Sequence, residues 1–227
     1  MIPPLIVQES IYRGINLIAI TDHNATGNIS AVIRAAEGTD LVVLGGIEFQ
    51  TREEVHVLCL FDAESQINKI QKYVDSWLPG IENKPEFFGD QFIVDETGDY
   101  IRTEERLLST SLNISLKELG DIVESMQGLF IPAHINRKAN GLIANLGLIP
   151  TDVHFDALEI SRHITPRDAL IAYPQLKSYP LIQNGDVHFL DGLLGANDFV
   201  IEKPTIEELR LAINCKNGRS LQILSPV

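Results

Sequence analysis

Ile18-Ala-Ile-Thr-Asp22-His23-Asn24 is a short apolar run that ends on an acid and an imidazole. Three further runs follow the same design: Val55-His56-Val57-Leu58, Phe130-Ile-Pro-Ala-His134 and Ile182-Gln-Asn-Gly-Asp186-Val-His188. A fifth, Leu41-Val-Val-Leu-Gly-Gly-Ile47-Glu48-Phe49, places a carboxylate in the same kind of position. These groups are far apart in sequence, so no local metal loop explains them. If the runs are parallel strands of one sheet or barrel, their C-terminal ends converge on one rim, where α/β enzymes build their sites. Imidazole and carboxylate converging there suit a cluster of hard or borderline divalent metals.

Working outward, the chain alternates helical and strand-like patterns. Pro3-Pro4 open a helix that Gly14 closes. Strands are predicted near Leu17–Thr21, Leu41–Ile47, Val55–Phe61, Leu129–Ala133, Ala157–Ser161, Leu181–Gln183 and Phe199–Glu202. Ile67, Ile70, Val74 and Trp77 mark one face of a helix over Glu64–Trp77. Ser115-Leu-Lys-Glu118 and Thr205-Ile-Glu-Glu208 read as capping boxes. The repeated βα order predicts an α/β fold with a parallel sheet or barrel. Residues 79–112 break the rhythm, with Pro79-Gly80 and a turn at Glu96-Thr-Gly98-Asp99, and read as an insertion near the site mouth.

At 227 residues the chain suits one domain with a substantial core. A net charge of −13 argues against a broad basic surface, so no duplex nucleic acid is expected as partner. Cys59 and Cys215 have no CxxC spacing and read as buried or half-buried thiols of a cytoplasmic protein. No apolar stretch has the length of a bilayer span, so no membrane partner is expected.

Each histidine alone reads as a satisfied structural imidazole; the coincidence carries the argument. Asp186 and His188 lie two residues apart, on one face of an extended strand. Asp22 and His23 face opposite ways, so one binds while the other orients a neighbour. Gly45-Gly46 before Glu48 leaves the backbone free to approach a ligand or to bulge.

Thr21-Asp22-His23-Asn24, Gly46-Ile47-Glu48, Val55-His56-Val57, Pro132-Ala133-His134 and Gly185-Asp186-Val187-His188 occur in the order and approximate spacing of one family. Over nearly its whole length the sequence resembles the PHP (polymerase and histidinol phosphatase) domain of metal-dependent phosphoesterases. The resemblance implies a distorted, TIM-like (β/α)7 barrel formed by residues 1–227 as a single domain. It implies up to three zinc, manganese or iron ions. By position, Glu48 resembles the carboxylate that bridges two metals, with His56 and His134 its companions on the second. Asp186 resembles a ligand of the first metal, and His23 and His188 ligands of the third. Glu48 and Asp186 are thereby the catalytic carboxylates. Arg137 and Lys138 read either as contacts to a substrate phosphate or as a solvated surface pair, and Glu159 as a hydrogen-bond partner behind the ligands.

The family also begins with a strand carrying His-x-His, and this sequence starts at the helix that follows it. Two ligands of the first metal and one of the third are thus missing, and fewer than three metals are expected. A barrel without its first strand leaves unpaired edges, which predicts a homodimer and weak activity. The expected function is hydrolysis of a phosphate ester of a small molecule or nucleotide by metal-activated water. The alternative is an inactive PHP module that binds metal in a structural or regulatory role.

Overall fold

The computed structural model describes residues 1–224 as a mixed α/β fold. Helix α1 (Pro3–Tyr12) starts on two prolines, whose preset φ and missing donors suit a first turn. It leads into β1 (Leu17–Ile20), α2 (Ile29–Ala35), β2 (Val42–Gln50) and β3 (His56–Phe61). Helix α3 (Glu64–Trp77) buries Ile67, Ile70 and Val74, the face read from its spacing. The segment that breaks the rhythm holds α4 (Pro85–Phe88) and a hairpin of β4 (Phe92–Val94) and β5 (Tyr100–Thr103). Asp95 closes the hairpin by accepting the N–H groups of Thr97 and Asp99. Helix α5 (Leu116–Ser125) opens on the reciprocal Ser115–Glu118 capping box. Then come β6 (Leu129–Pro132), α6 (Leu142–Leu146), β7 (Leu158–Ile160), α7 (Pro166–Ala172), β8 (Leu181–Gln183), β9 (Asn197–Val200), α8 (Ile206–Ile213) and β10 (Ser220–Ile223). The second expected capping box is half made. Thr205 caps α8, but the Glu208 carboxylate turns to Arg219 and to the Glu202 N–H.

The strands form one four-stranded sheet, ordered β1-β2-β3-β6, and the pairs β4-β5, β7-β8 and β9-β10. They close no barrel among the described residues, and the main sheet is not parallel throughout. β1 runs parallel to β2, but β3 is antiparallel to both β2 and β6. The cause is in the sequence. A parallel return needs a crossover of a dozen or more residues, and the link 51–55 is too short for one. It makes instead a tight turn in which the Thr51 N–H bonds the Val55 carbonyl at 3.0 Å.

The two faces of the sheet differ. One packs Ile47, Phe49, Val57, Cys59 and Phe61 against Ile70 and Val74 of α3 and Leu119 and Val123 of α5, all fully buried. The other lines a cavity of about 1040 Å³ bounded by Leu17, Leu44, Leu58 and Ile131 of the sheet, by Ile182 of β8 and by Leu209 of α8. Among the described residues β1 pairs with β2 alone, so its far edge borders this cavity. Gly45 and Gly46 serve packing, in place of the expected ligand approach or bulge, and both pair in regular register with β3. A Cβ at Gly45 would lie 2.7 Å from Ile67 Cδ1, and one at Gly46 2.6 Å from Leu60 Cδ2 and 3.0 Å from the Cys59 carbonyl. Cys59 is buried as expected, whereas Cys215 is exposed, on a turn with φ of 52°.

Candidate metal centre

The β1–β2 register places Ile20 opposite Gly45, and the same offset continues past β1 to a bridge between His23 and Glu48. Laterally paired strand residues point to the same face, so His23 meets Glu48, and Asp22 turns the other way. There the Asn28 amide donates to Asp22 at 3.1 Å, and burial raises the Asp22 pKa against that bond. In the antiparallel β2–β3 ladder Gln50 faces His56, which sets His56 on the Glu48 face, two residues along. His56 therefore reaches this rim from the start of its strand, because β3 runs backwards. The sequence reading, which placed it at a C-terminal end, is corrected on this point.

His134 needs a different device. Alternation along β6 would put Ala133, not His134, on the face of His56. A φ of 29° at His134 breaks the alternation and turns its ring inward. Such a backbone costs on the order of 1–3 kcal/mol and persists where its surroundings hold it. Glu159 supplies that hold: its carboxylate accepts the His134 N–H at 3.1 Å, and its carbonyl accepts the Ile135 N–H at 2.9 Å.

Glu48 is the hub. Its Oε1 accepts from His56 Nδ1 at 3.0 Å and His134 Nε2 at 3.2 Å, and its Oε2 lies 3.3 Å from His23 Nδ1. Burial alone would raise the Glu48 pKa. The bonds from His134 and His56 outweigh it and hold the carboxyl well below the usual carboxylate range. Burial lowers the His23 pKa, with the Glu48 charge opposing. Glu159, fully enclosed, is pushed up by burial to about 7, although the Asn184 amide donates to it at 2.8 Å. The sequence reading did not single out Asn184.

These bonds fit a bound cation. A carboxylate only accepts, so without a cation His56 Nδ1 and His134 Nε2 carry the protons; a cation in their place would meet these nitrogens, His23 Nδ1 and the carboxylate at once. The opposite ring nitrogens, His56 Nε2 and His134 Nδ1, are buried with no hydrogen-bond partner among the described residues, so nothing there holds the rings to the tautomer that faces its proton toward Glu48. Ligand atoms of His23, Glu48 and His56 all lie within 4.8 Å of one another. Imidazole and carboxylate together suit zinc, manganese or iron.

The other expected residues sit farther out. Asp186, with φ of 48°, pairs with Arg137, and its Oδ1 lies 3.7 Å from His188 Nδ1. The His188 ring stands 5.9 Å from that of His23, and its side chain is 59% exposed. Lys138 is exposed beside Arg137 and makes no hydrogen bond or ion pair with these groups among the described residues. His154 and His163 lie on the surface. No helix of the described residues is long and apolar enough to cross a membrane.

No protein-family model matches the sequence. An uncharacterised Bacillus subtilis protein, YqxK, is 23% identical over 96% of this chain and 56% of its own length. The fold superposes on Endonuclease Q with a TM-score of 0.72 at 20% identity, over 97% of this chain and 53% of that one. A lesion-specific endonuclease from Pyrococcus furiosus gives 0.68, also at 20% identity and with the same coverage. A Bifidobacterium adolescentis protein assigned as a metal-dependent phosphoesterase gives 0.55 at 17% identity, over 83% of this chain and 82% of that one. The chain thus spans about half the length of YqxK and of the two endonucleases. The structure of Endonuclease Q holds a 27-mer duplex with an abasic lesion at the active site. That finding overturns the exclusion of duplex nucleic acid drawn from the net charge. A net charge sums the whole surface, whereas binding is decided by the charge at the rim of the site. The fold is that of metal-dependent phosphoesterases and lesion endonucleases.

Proposed function

We propose that this chain is a PHP-type metal-dependent phosphoesterase that cleaves phosphodiester bonds of nucleic acid. The observation that carries the reading is the buried carboxylate of Glu48, gripped by His23, His56 and His134 beside a cavity. The fold shared with lesion endonucleases directs it to nucleic acid. Under this reading the separate sheets are arcs of one distorted barrel, open between β1 and β8, and residues 79–112 are an insertion at its mouth.

Glu48, His56 and His134 would hold one ion, with His23 at its edge, and Asp186 and His188 would flank a second. A divalent ion bound there supplies an acidified water and neutralises charge on the phosphoryl oxygens. The chain's own groups do the rest. Glu48 draws the three imidazoles to one point. Glu159 keeps His134 turned inward through its backbone N–H. Arg137 and Lys138, exposed at the rim, meet the non-bridging oxygens of the phosphate. The buried ladder between β2 and β3 keeps these groups from shifting when substrate arrives, as a catalytic constellation requires.

The test is a substrate panel with manganese or zinc: duplex with an abasic site, intact duplex, single strand and an aryl phosphate. Strand cleavage that a chelator stops is expected. Hydrolysis of the aryl phosphate with all nucleic acids left intact would instead assign a small phosphate ester. Metal binding without hydrolysis of any member would mark the chain as the inactive module.

A further inference from the structure

Asp186 is already held by a cation of the chain itself. Arg137 lies three residues past His134, in a turn where its N–H bonds the His134 carbonyl at 2.8 Å. Gly141 lets the chain fold back over this turn: a Cβ there would stand 2.2 Å from the Arg137 carbonyl oxygen. The backbone of Arg137 is therefore fixed, while its side chain is 45% exposed and has room to swing. The guanidinium Nη1 donates to Asp186 Oδ2. The other carboxylate oxygen faces His188 Nδ1 at 3.7 Å, and His188 stands beside His23, itself on Glu48. Asp186 thus lies between a half-exposed guanidinium and the imidazole cluster.

A divalent ion that used Asp186 would compete with Arg137 for one carboxylate and would repel the guanidinium. A phosphate reaching the site needs a guanidinium free to donate. The two demands are met in sequence if one event releases what the other uses. We propose that Arg137 is a displaceable counter-ion of Asp186: a divalent metal takes the carboxylate, and the freed guanidinium takes a non-bridging oxygen of the substrate phosphate. This rests on the reading of the Glu48 cluster as a metal centre. It gives Arg137 two effects of opposite sign, weakening metal binding and strengthening phosphate binding. Loss of a residue that merely braced the loop would weaken both or neither.

Calorimetric titration of Mn²⁺ into the full chain tests it, followed by titration of inorganic phosphate into the loaded protein. Arg137→Ala is expected to bind Mn²⁺ about fivefold more tightly, the scale of an exposed ion pair. The same variant is expected to bind phosphate about tenfold more weakly, as when a charge-assisted donor is lost. Lys138→Ala, which removes the same charge next door, should change Mn²⁺ affinity less than twofold, well under the fivefold scale of the pair. In Asp186→Asn the effect of Arg137→Ala on Mn²⁺ should vanish, because the shared anion is gone. Equal or weaker Mn²⁺ binding by Arg137→Ala, in a chain that still binds Mn²⁺, overturns the counter-ion role and leaves the metal centre standing. Equal tightening by Lys138→Ala overturns it too, since net charge alone would then suffice. Failure of the unaltered chain to bind Mn²⁺ at all overturns the metal centre, and this inference with it.

Discussion

Replacing Glu48 by glutamine removes one charge and almost no volume, so it isolates what the carboxylate does. In the structure that carboxylate accepts from His56 at 3.0 Å and His134 at 3.2 Å and faces His23 at 3.3 Å. A hydrogen bond to a charged group contributes roughly 1.5–3 kcal/mol and a neutral one roughly 0.5–1.5. The amide oxygen can keep the His56 and His134 contacts in neutral form, so the two together lose about 2 kcal/mol. The amide nitrogen replaces the oxygen facing His23, whose partly exposed ring can turn to accept it. For a chain of this size 1 kcal/mol moves Tm by about 2–4 °C, so Glu48→Gln should melt about 4–8 °C lower in a chelator. Its effect on metal should be larger. Loss of a group that only orients a ligand costs about 10–100-fold in affinity, and under the proposed metal centre Glu48 both orients the imidazoles and is itself a ligand, so a loss of at least about 100-fold is expected. Differential scanning fluorimetry with and without Mn²⁺ or Zn²⁺ reads both quantities, because a bound ligand stabilises with the logarithm of its concentration over its Kd. A variant that melts like the parent in chelator and gains the same shift from metal would refute the central role of Glu48.

Gly46→Ala should destabilise by about 1–3 kcal/mol through overpacking, since the new methyl meets Leu60, Thr21 and the Cys59 carbonyl at once; urea unfolding measures it. Glu159 has an ordinary pKa of 4.5 and is held near 7, so the folded chain keeps a proton that the unfolded chain releases between those values. Stability is therefore expected to fall as pH rises from about 4.5 to 7, by about 3 kcal/mol at 1.4 kcal/mol per pH unit. Glu159→Gln should lack that decline in a chelator, and parallel profiles for the two proteins would show that Glu159 is ionised throughout. Ser115→Ala should cost about 1 kcal/mol by uncapping α5, with metal binding unchanged.

The sequence already located most elements, because helix α3, the Ser115 capping box and strand β8 each carry a complete local signal. It also named the residues that meet on Glu48. What it mistook were matters of direction and partner. The link 51–55 was short enough to show that β3 must run antiparallel, yet the apolar run alone suggested another parallel strand. Gly45 and Gly46 looked like a ligand approach, and the reason for them, Ile67 and Leu60, lay on other elements. The inward turn of His134 rests on a positive φ and on Glu159, a contact between strands that no local pattern encodes. The pairing of Arg137 with Asp186 joins loops far apart in the chain, so neither residue's neighbours reveal it. The total charge proved a poor guide to partners, because it averages over a surface on which the site occupies one rim.

The most direct test of a catalytic metal centre on Glu48 is anomalous diffraction at the metal edge from crystals grown with Mn²⁺ or Zn²⁺. The account predicts a peak within about 2.5 Å of the Glu48 carboxylate, in contact with at least two of His23, His56 and His134. A fully occupied peak elsewhere, with Glu48 still bonded to three imidazoles and no density between them, would contradict it.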